Sequence, residues 1–130
     1  MKFNSRRLGI ARKRRLLNKK GLAAALGVSE YTVLRYEAGK TTPTDDVVAL
    51  IAKTLRFPIA FFFGEDIDEP CADTASFRSQ ASMTAGIRDA ALAAGSVGFL
   101  ISDYVEARFD LPQIAVPELG HYSPEQASRA

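Results

Sequence analysis

A three-residue stretch, Gly27-Val28-Ser29, limits the fold of this chain more than any other part of it. It separates two helix-length segments, Lys19 to Leu26 and Glu30 to about Ala38, each too short to be stable alone. Such helices must pack on each other and on a further helical layer. Gly27 tolerates the left-handed backbone that ends a helix abruptly, and Ser29 offers a hydroxyl to cap the next one. Asn18 can cap the first of the pair. Leu22, Ala23 and Leu26 fall on one face of that first helix. In the second, SEYTVLRYE, Val33 and Tyr36 turn inward together and leave Glu30, Tyr31, Leu34 and Arg35 facing outward.

The rest of the chain supplies the further layer. A helix over 5–17, capped by Ser5, carries Leu8, Ala11, Arg12 and Arg15 at helical spacing. Gly39 closes the SEYTVLRYE helix. Pro43 and Thr44 open a fourth, with Asp45 and Asp46 in its first turn and Val47, Leu50, Ile51 and Leu55 as its apolar face. A short fifth follows Pro58, where Phe57, Ile59, Phe61, Phe62 and Phe63 seal a core. The expectation is an all-α, five-helix unit over 1–63, an acidic linker over 64–83, a helical region over 84–111 and a loose tail over 112–130. Thr84 can cap the later helix, which Gly86, Gly95 and Gly98 interrupt, with a kink expected near Gly95. Its stripe of Ile87, Ala91, Ala94, Val97, Ile101, Tyr104 and Val105 either folds back on the first unit or pairs with a second copy. Pairing is the favoured reading, because a two-fold dimer doubles the length of DNA read.

Charge is divided along the chain. Up to Phe63 there are 13 basic and 4 acidic residues, a net of +9; from Gly64 onward there are 4 basic and 11 acidic, a net of −7. A basic half of this kind faces a polyanion more often than it faces water alone. With the outward side chains above, it indicates a helix-turn-helix that reads the major groove of double-stranded DNA. The sole cysteine, Cys71, excludes an intrachain disulfide, which fits a cytoplasmic protein. The basic N-terminus lacks the apolar run of a signal peptide. The uncharged stretch from Ala90 to Ser102 is too short to span a bilayer, so no membrane association is expected. His121 is the only histidine, which leaves no zinc site, no cofactor and no enzymatic activity to expect.

The stretches LGIARKRR and LNKKGLAAALGVSEYTVLRYEAGKTTP, with the helix after Pro43, resemble the Cro/cI-type helix-turn-helix of the xenobiotic-response-element (XRE) regulators over residues 8–63. The resemblance implies a lambda-repressor-like domain in which Arg12 and Glu37 form a structural ion pair. Gly21 departs from the family's usual polar residue and should loosen its helix by up to ~1 kcal/mol. Arg35 is the first candidate for base readout, donating twice to guanine O6 and N7. Glu30 is a candidate acceptor from cytosine, and Tyr31 and Thr32 are candidates for contact with a thymine methyl or a phosphate. Lys19, Ser29, Lys40 and Thr41 are the candidate phosphate contacts. Arg14 and Arg15 either add to these or only solubilise the first helix.

A second resemblance covers residues 57 to about 110. FPIAFFFGEDIDEP and ASFRSQASMTAGIRDAALAAG look like regulators that join this motif to an ImmA/IrrE-type metallopeptidase. No HExxH follows here, so that resemblance implies a regulator without the protease. The expected function is a dimeric repressor reading a palindromic operator. The alternative is an antitoxin that regulates its own operon while its acidic half binds a toxin, with residues 84–111 as the surface for such a protein partner.

Overall fold

The computed structural model describes residues 2–71 and 83–112. The described residues form five α-helices and one 3₁₀ turn, with no strand among them: α1 (Ser5–Arg14), α2 (Lys19–Leu26), α3 (Glu30–Glu37), α4 (Asp45–Leu55), the 3₁₀ turn Ile59–Phe63, and α5 (Ala85–Glu106). The all-α expectation holds. The tail from residue 113 lies outside the described residues, as does the part of the expected linker over 72–82.

The caps follow the local chemistry, with one correction. Asn18 and Ser29 accept from Gly21 and Thr32 backbone N–H groups and so start α2 and α3. At α1 the cap is Asn4, not Ser5. Its side-chain oxygen accepts from the N–H groups of both Arg6 and Arg7, which places Ser5 inside the helix. The first four helices end in a left-handed residue, at Leu16, Gly27, Gly39 and Arg56. The N–H of the residue after the left-handed one then bonds back, as from Leu17 to Arg12 and from Lys40 to Arg35. Leu16 has φ 57°, so α1 ends at Arg14 rather than at residue 17, and Leu16 and Arg56 bear the strain a side chain incurs there.

Leu8, Ile10, Leu22, Val33, Val48, Ile51, Leu55 and Phe62 are the fully enclosed centre of the core. Phe62 stacks on Phe3 with ring centroids 6.3 Å apart and meets Phe61 edge-on. On α4 the buried set is Val48, Ile51, Ala52 and Leu55; Leu50, expected inside, is exposed and Val47 only packs at the margin. The inward face is therefore rotated by about one residue, toward the small Ala52.

Two findings change the picture after Phe63. The first part of the expected linker, Gly64 to Glu69, is docked on the start of α1. Ile67 is buried in the core, Asn4 donates to the Gly64 carbonyl, and Arg6 pairs with Asp66 at 3.0 Å and Glu69 at 3.4 Å. The α5 helix packs against α1, is continuous through Gly95, and starts at Thr84, whose hydroxyl accepts from Ile87 N–H. Gly95 is needed there for clearance: a Cβ on it would lie 2.6 Å from Cγ of Pro70. Ala93 and Ser96 are the buried residues of α5, with Val97 and Leu100 packed beside them. Most of the expected stripe lies elsewhere on the helix surface, and Ile87, Ile101 and Tyr104 are about half exposed. By length and composition alone the 22-residue α5 is long and apolar enough to cross a membrane, which the uncharged stretch by itself is not; the charges the helix gains at its two ends, Arg88, Asp89, Asp103 and Glu106, oppose insertion. Its packing on α1 gives part of that apolar content a second use.

Candidate nucleic-acid interface

The corner between α2 and α3 is built by backbone bonds and one ion pair. Gly27, at φ 68°, lets Val28 N–H bond back to Ala23, and Ser29 then caps α3. Val33 and Tyr36 are buried beneath α3 and hold it down. Arg12 reaches from α1 to the far end of α3. Its Nη2 donates to Glu37 Oε2 at 3.0 Å, its Nε donates to Glu37 Oε1, and its Nη1 donates to the Leu17 carbonyl at 2.7 Å. Both side chains are nearly enclosed, at 10% and 13% exposure. Three donor bonds from one planar guanidinium thus tie the α1–α2 turn and the end of α3 to α1. Gly21, which leaves a cost in helix propensity, lies against the α2 cap. A Cβ there would come within 3.2 Å of Asn18 Oδ1, the atom that accepts from Gly21 N–H at 2.7 Å.

Above that base the outward face of α3 is open. Glu30, Tyr31, Leu34 and Arg35 are exposed. The Arg35 guanidinium lies over the Tyr31 ring, 5.9 Å from its centroid, which holds two long side chains side by side. Tyr31, Thr32, Arg35 and Thr41 together line a shallow groove of about 210 Å³. The structure therefore brings three of the candidate base contacts together with one candidate phosphate contact. Thr32 and Ser29 share a hydroxyl–hydroxyl bond of 2.8 Å, and Ser29 Oγ also accepts from Thr32 N–H. The Ser29 hydroxyl is thus already occupied by its capping role. Lys40 and Thr41 are exposed just past Gly39, and Lys19 is half-buried at the first turn of α2.

The sequence reading missed what the other arginines do. Arg7 is buried and donates from Nη1 to the Phe61 carbonyl at 3.0 Å and from Nε to the Glu65 carbonyl, with its guanidinium 5.2 Å over the Phe61 ring. Burial pulls its pKa below the usual arginine value, against the opposing pull of Asp66 and Glu65. Arg15 donates to the carbonyls of Leu55 and Arg56, closing the end of α4, and lies over Phe57. Arg15 is therefore a helix-capping residue in this fold. Asp66 is held below the usual carboxylate range by the hydrogen bonds from Asn4 and Arg6. The signal for the Arg7 and Arg15 roles was weak, since each depends on carbonyls 40 or more residues away in sequence, which no local pattern reveals.

Comparison with known proteins bears on the same segment. Residues 8–62 match the model of a helix-turn-helix family. The match runs from within α1 through α4 to most of the 3₁₀ turn, and it supports a DNA-binding transcriptional regulator of the XRE type. It is a family of DNA-binding domains rather than of enzymes. The expected relationship to ImmA/IrrE-linked regulators receives no support. No curated protein and no solved structure matches the chain.

Proposed function

We propose that this chain is a sequence-specific transcriptional regulator that lays α3 in the major groove of double-stranded DNA and represses as a homodimer on a palindromic operator. The observation that carries the reading is the division of α3 into a fixed side and an open one. Val33, Tyr36 and the Arg12–Glu37 pair secure it from beneath, and Glu30, Tyr31 and Arg35 stand free on the other side. Arg35 reads guanine, Glu30 and Tyr31 add base contacts, and Thr32 supports them from the groove wall. Lys19, Lys40 and Thr41 hold phosphates, with Ser29 contributing through the helix start that it caps. No cofactor enters this reading, and its site of action is the cytoplasm.

The exposed face of α5 supplies the dimer contact. Ile87, Ala91, Ala94, Gly98, Ile101 and Val105 recur at alternating spacings of four and three, the seam along which two helices pack. Replacing Ile87 and Ile101 together by Glu should leave the fold intact and yield a monomer that binds a half-site as before and the whole operator far more weakly. Sedimentation equilibrium checks the first part and band-shift titration the second. A stoichiometric second protein co-purifying through this face would instead favour the antitoxin reading.

Selection of bound sequences from random duplex DNA by the full chain tests the central claim. The expected result is one enriched, two-fold symmetric motif. No enrichment, at low and at moderate salt, would overturn it.

A further inference from the structure

The outward face of α3 holds one residue that hydrogen bonding does not explain. Leu34 is 44% exposed in the middle of the helix. Its surface neighbours at helical spacing are Glu30, Tyr31, Glu37 and Ala38. Glu37 is taken by Arg12. Arg35, the next residue along, leans toward Tyr31. Leu34 therefore presents two bare methyl groups, between the acid of Glu30 and the methyl of Ala38, on the face proposed to enter the groove. It is not part of the buried core, to which α3 contributes Val33 and Tyr36. Leu34 also contributes no donor or acceptor that could touch phosphate.

The major groove offers one apolar feature, the C5-methyl group of thymine. A branched aliphatic side chain at the centre of a reading helix fits that feature and is ill suited to the polar edges of guanine, cytosine or adenine. We propose that Leu34 is a specificity-determining residue that reads thymine through its C5-methyl group, so that each half-site contains a thymine near the guanine contacted by Arg35. The inference rests on the DNA-binding reading above and adds a base identity to it. Tyr31 and Arg35, held together as a stacked pair, form one polar edge of the reading surface. Leu34 with Ala38 forms an apolar edge next to it.

The test separates a methyl contact from any other role. The full chain is first given random DNA, and the enriched site is resynthesised with each thymine in turn replaced by deoxyuridine, which lacks only the methyl group. The wild-type chain should lose about fourfold in affinity per half-site at one such position, the equivalent of one buried methylene, and little at the rest. Leu34→Ala should bind the thymine site about that much more weakly and be indifferent to the deoxyuridine change at that position. Arg35→Ala should remain sensitive to it. Because position 34 is exposed and alanine favours helix, Leu34→Ala should keep the wild-type melting temperature. Equal sensitivity of wild type and Leu34→Ala to every thymine replacement would overturn the inference, with DNA binding itself intact. Failure to enrich any sequence is a different result, and it would remove the parent reading as well.

Discussion

Arginine does two separate jobs in this molecule, and the residue decides which. Arg7, Arg12 and Arg15 point their guanidinium groups at backbone carbonyls or at Glu37, and Arg6 pairs with Asp66 and Glu69. Arg35 points outward, its guanidinium over the ring of Tyr31. Substitution should separate the two classes cleanly. Arg12→Ala leaves Glu37 charged and nearly enclosed, which is expected to cost about 3–5 kcal/mol of folding stability, read by urea unfolding. Arg35→Ala should leave stability unchanged within about 0.5 kcal/mol. It should weaken the preferred DNA site by ~1–3 kcal/mol and random DNA hardly at all. Competition binding against both DNAs measures this, and an equal loss on each would make Arg35 a phosphate contact instead.

At the scale of elements, the sequence was most legible where structure is local. Asn18, Gly27, Ser29, Gly39 and Thr84 do in the structure what their chemistry indicates, because a cap is settled within four residues. The inward faces of α2 and α3 were legible for the same reason. The rotation of α4 was not: Val47, Val48, Leu50, Ile51 and Ala52 provide apolar residues on too many sides, and only the packing partners choose among them. Nor was the docking of Ile67, a single apolar residue among four acids, or the side of α5 that meets α1. Small residues govern that last contact, and a hydrophobic pattern gives Ala93 and Ser96 little weight. Two glycine substitutions expose the difference. Gly9→Ala, in α1 with nothing within 4 Å of the new Cβ, should stabilise the protein by up to ~1 kcal/mol. Gly95→Ala drives a Cβ into Pro70 and should destabilise by about 1–3 kcal/mol despite the same gain in helix propensity. Thermal unfolding of the two single variants reads the opposite signs directly.

For the whole molecule, the net charge of the basic half overstates what DNA would meet. With Arg6, Arg7, Arg12 and Arg15 engaged within the protein, the cations left from the end of α1 to the turn after α3 are Lys13, Arg14, Lys19, Lys20, Arg35 and Lys40. If three to five of these reach phosphate in each protomer, a dimer makes about 6–10 contacts, and log K should fall with log salt at ~0.9 per contact. Lys40→Ala should lower that slope by about 2, one contact per protomer, and weaken operator and random DNA alike. Titrations from low to moderate salt on wild type and variant measure it; a flat dependence in the wild type would count against DNA as the partner.

The separation of α3 into an anchored side and an open one also bears on how such a protein acquires a new target. Tyr36, Val33 and the Arg12–Glu37 pair are answerable to the fold, whereas Glu30, Tyr31, Leu34 and Arg35 are exposed and are answerable chiefly to what lies outside. Selection can therefore act on four codons without endangering the scaffold beneath them. A library randomised at those positions alone should retain cooperative unfolding in most of its members while its DNA preferences diverge, so that within one lineage the address can be rewritten many times over the same body.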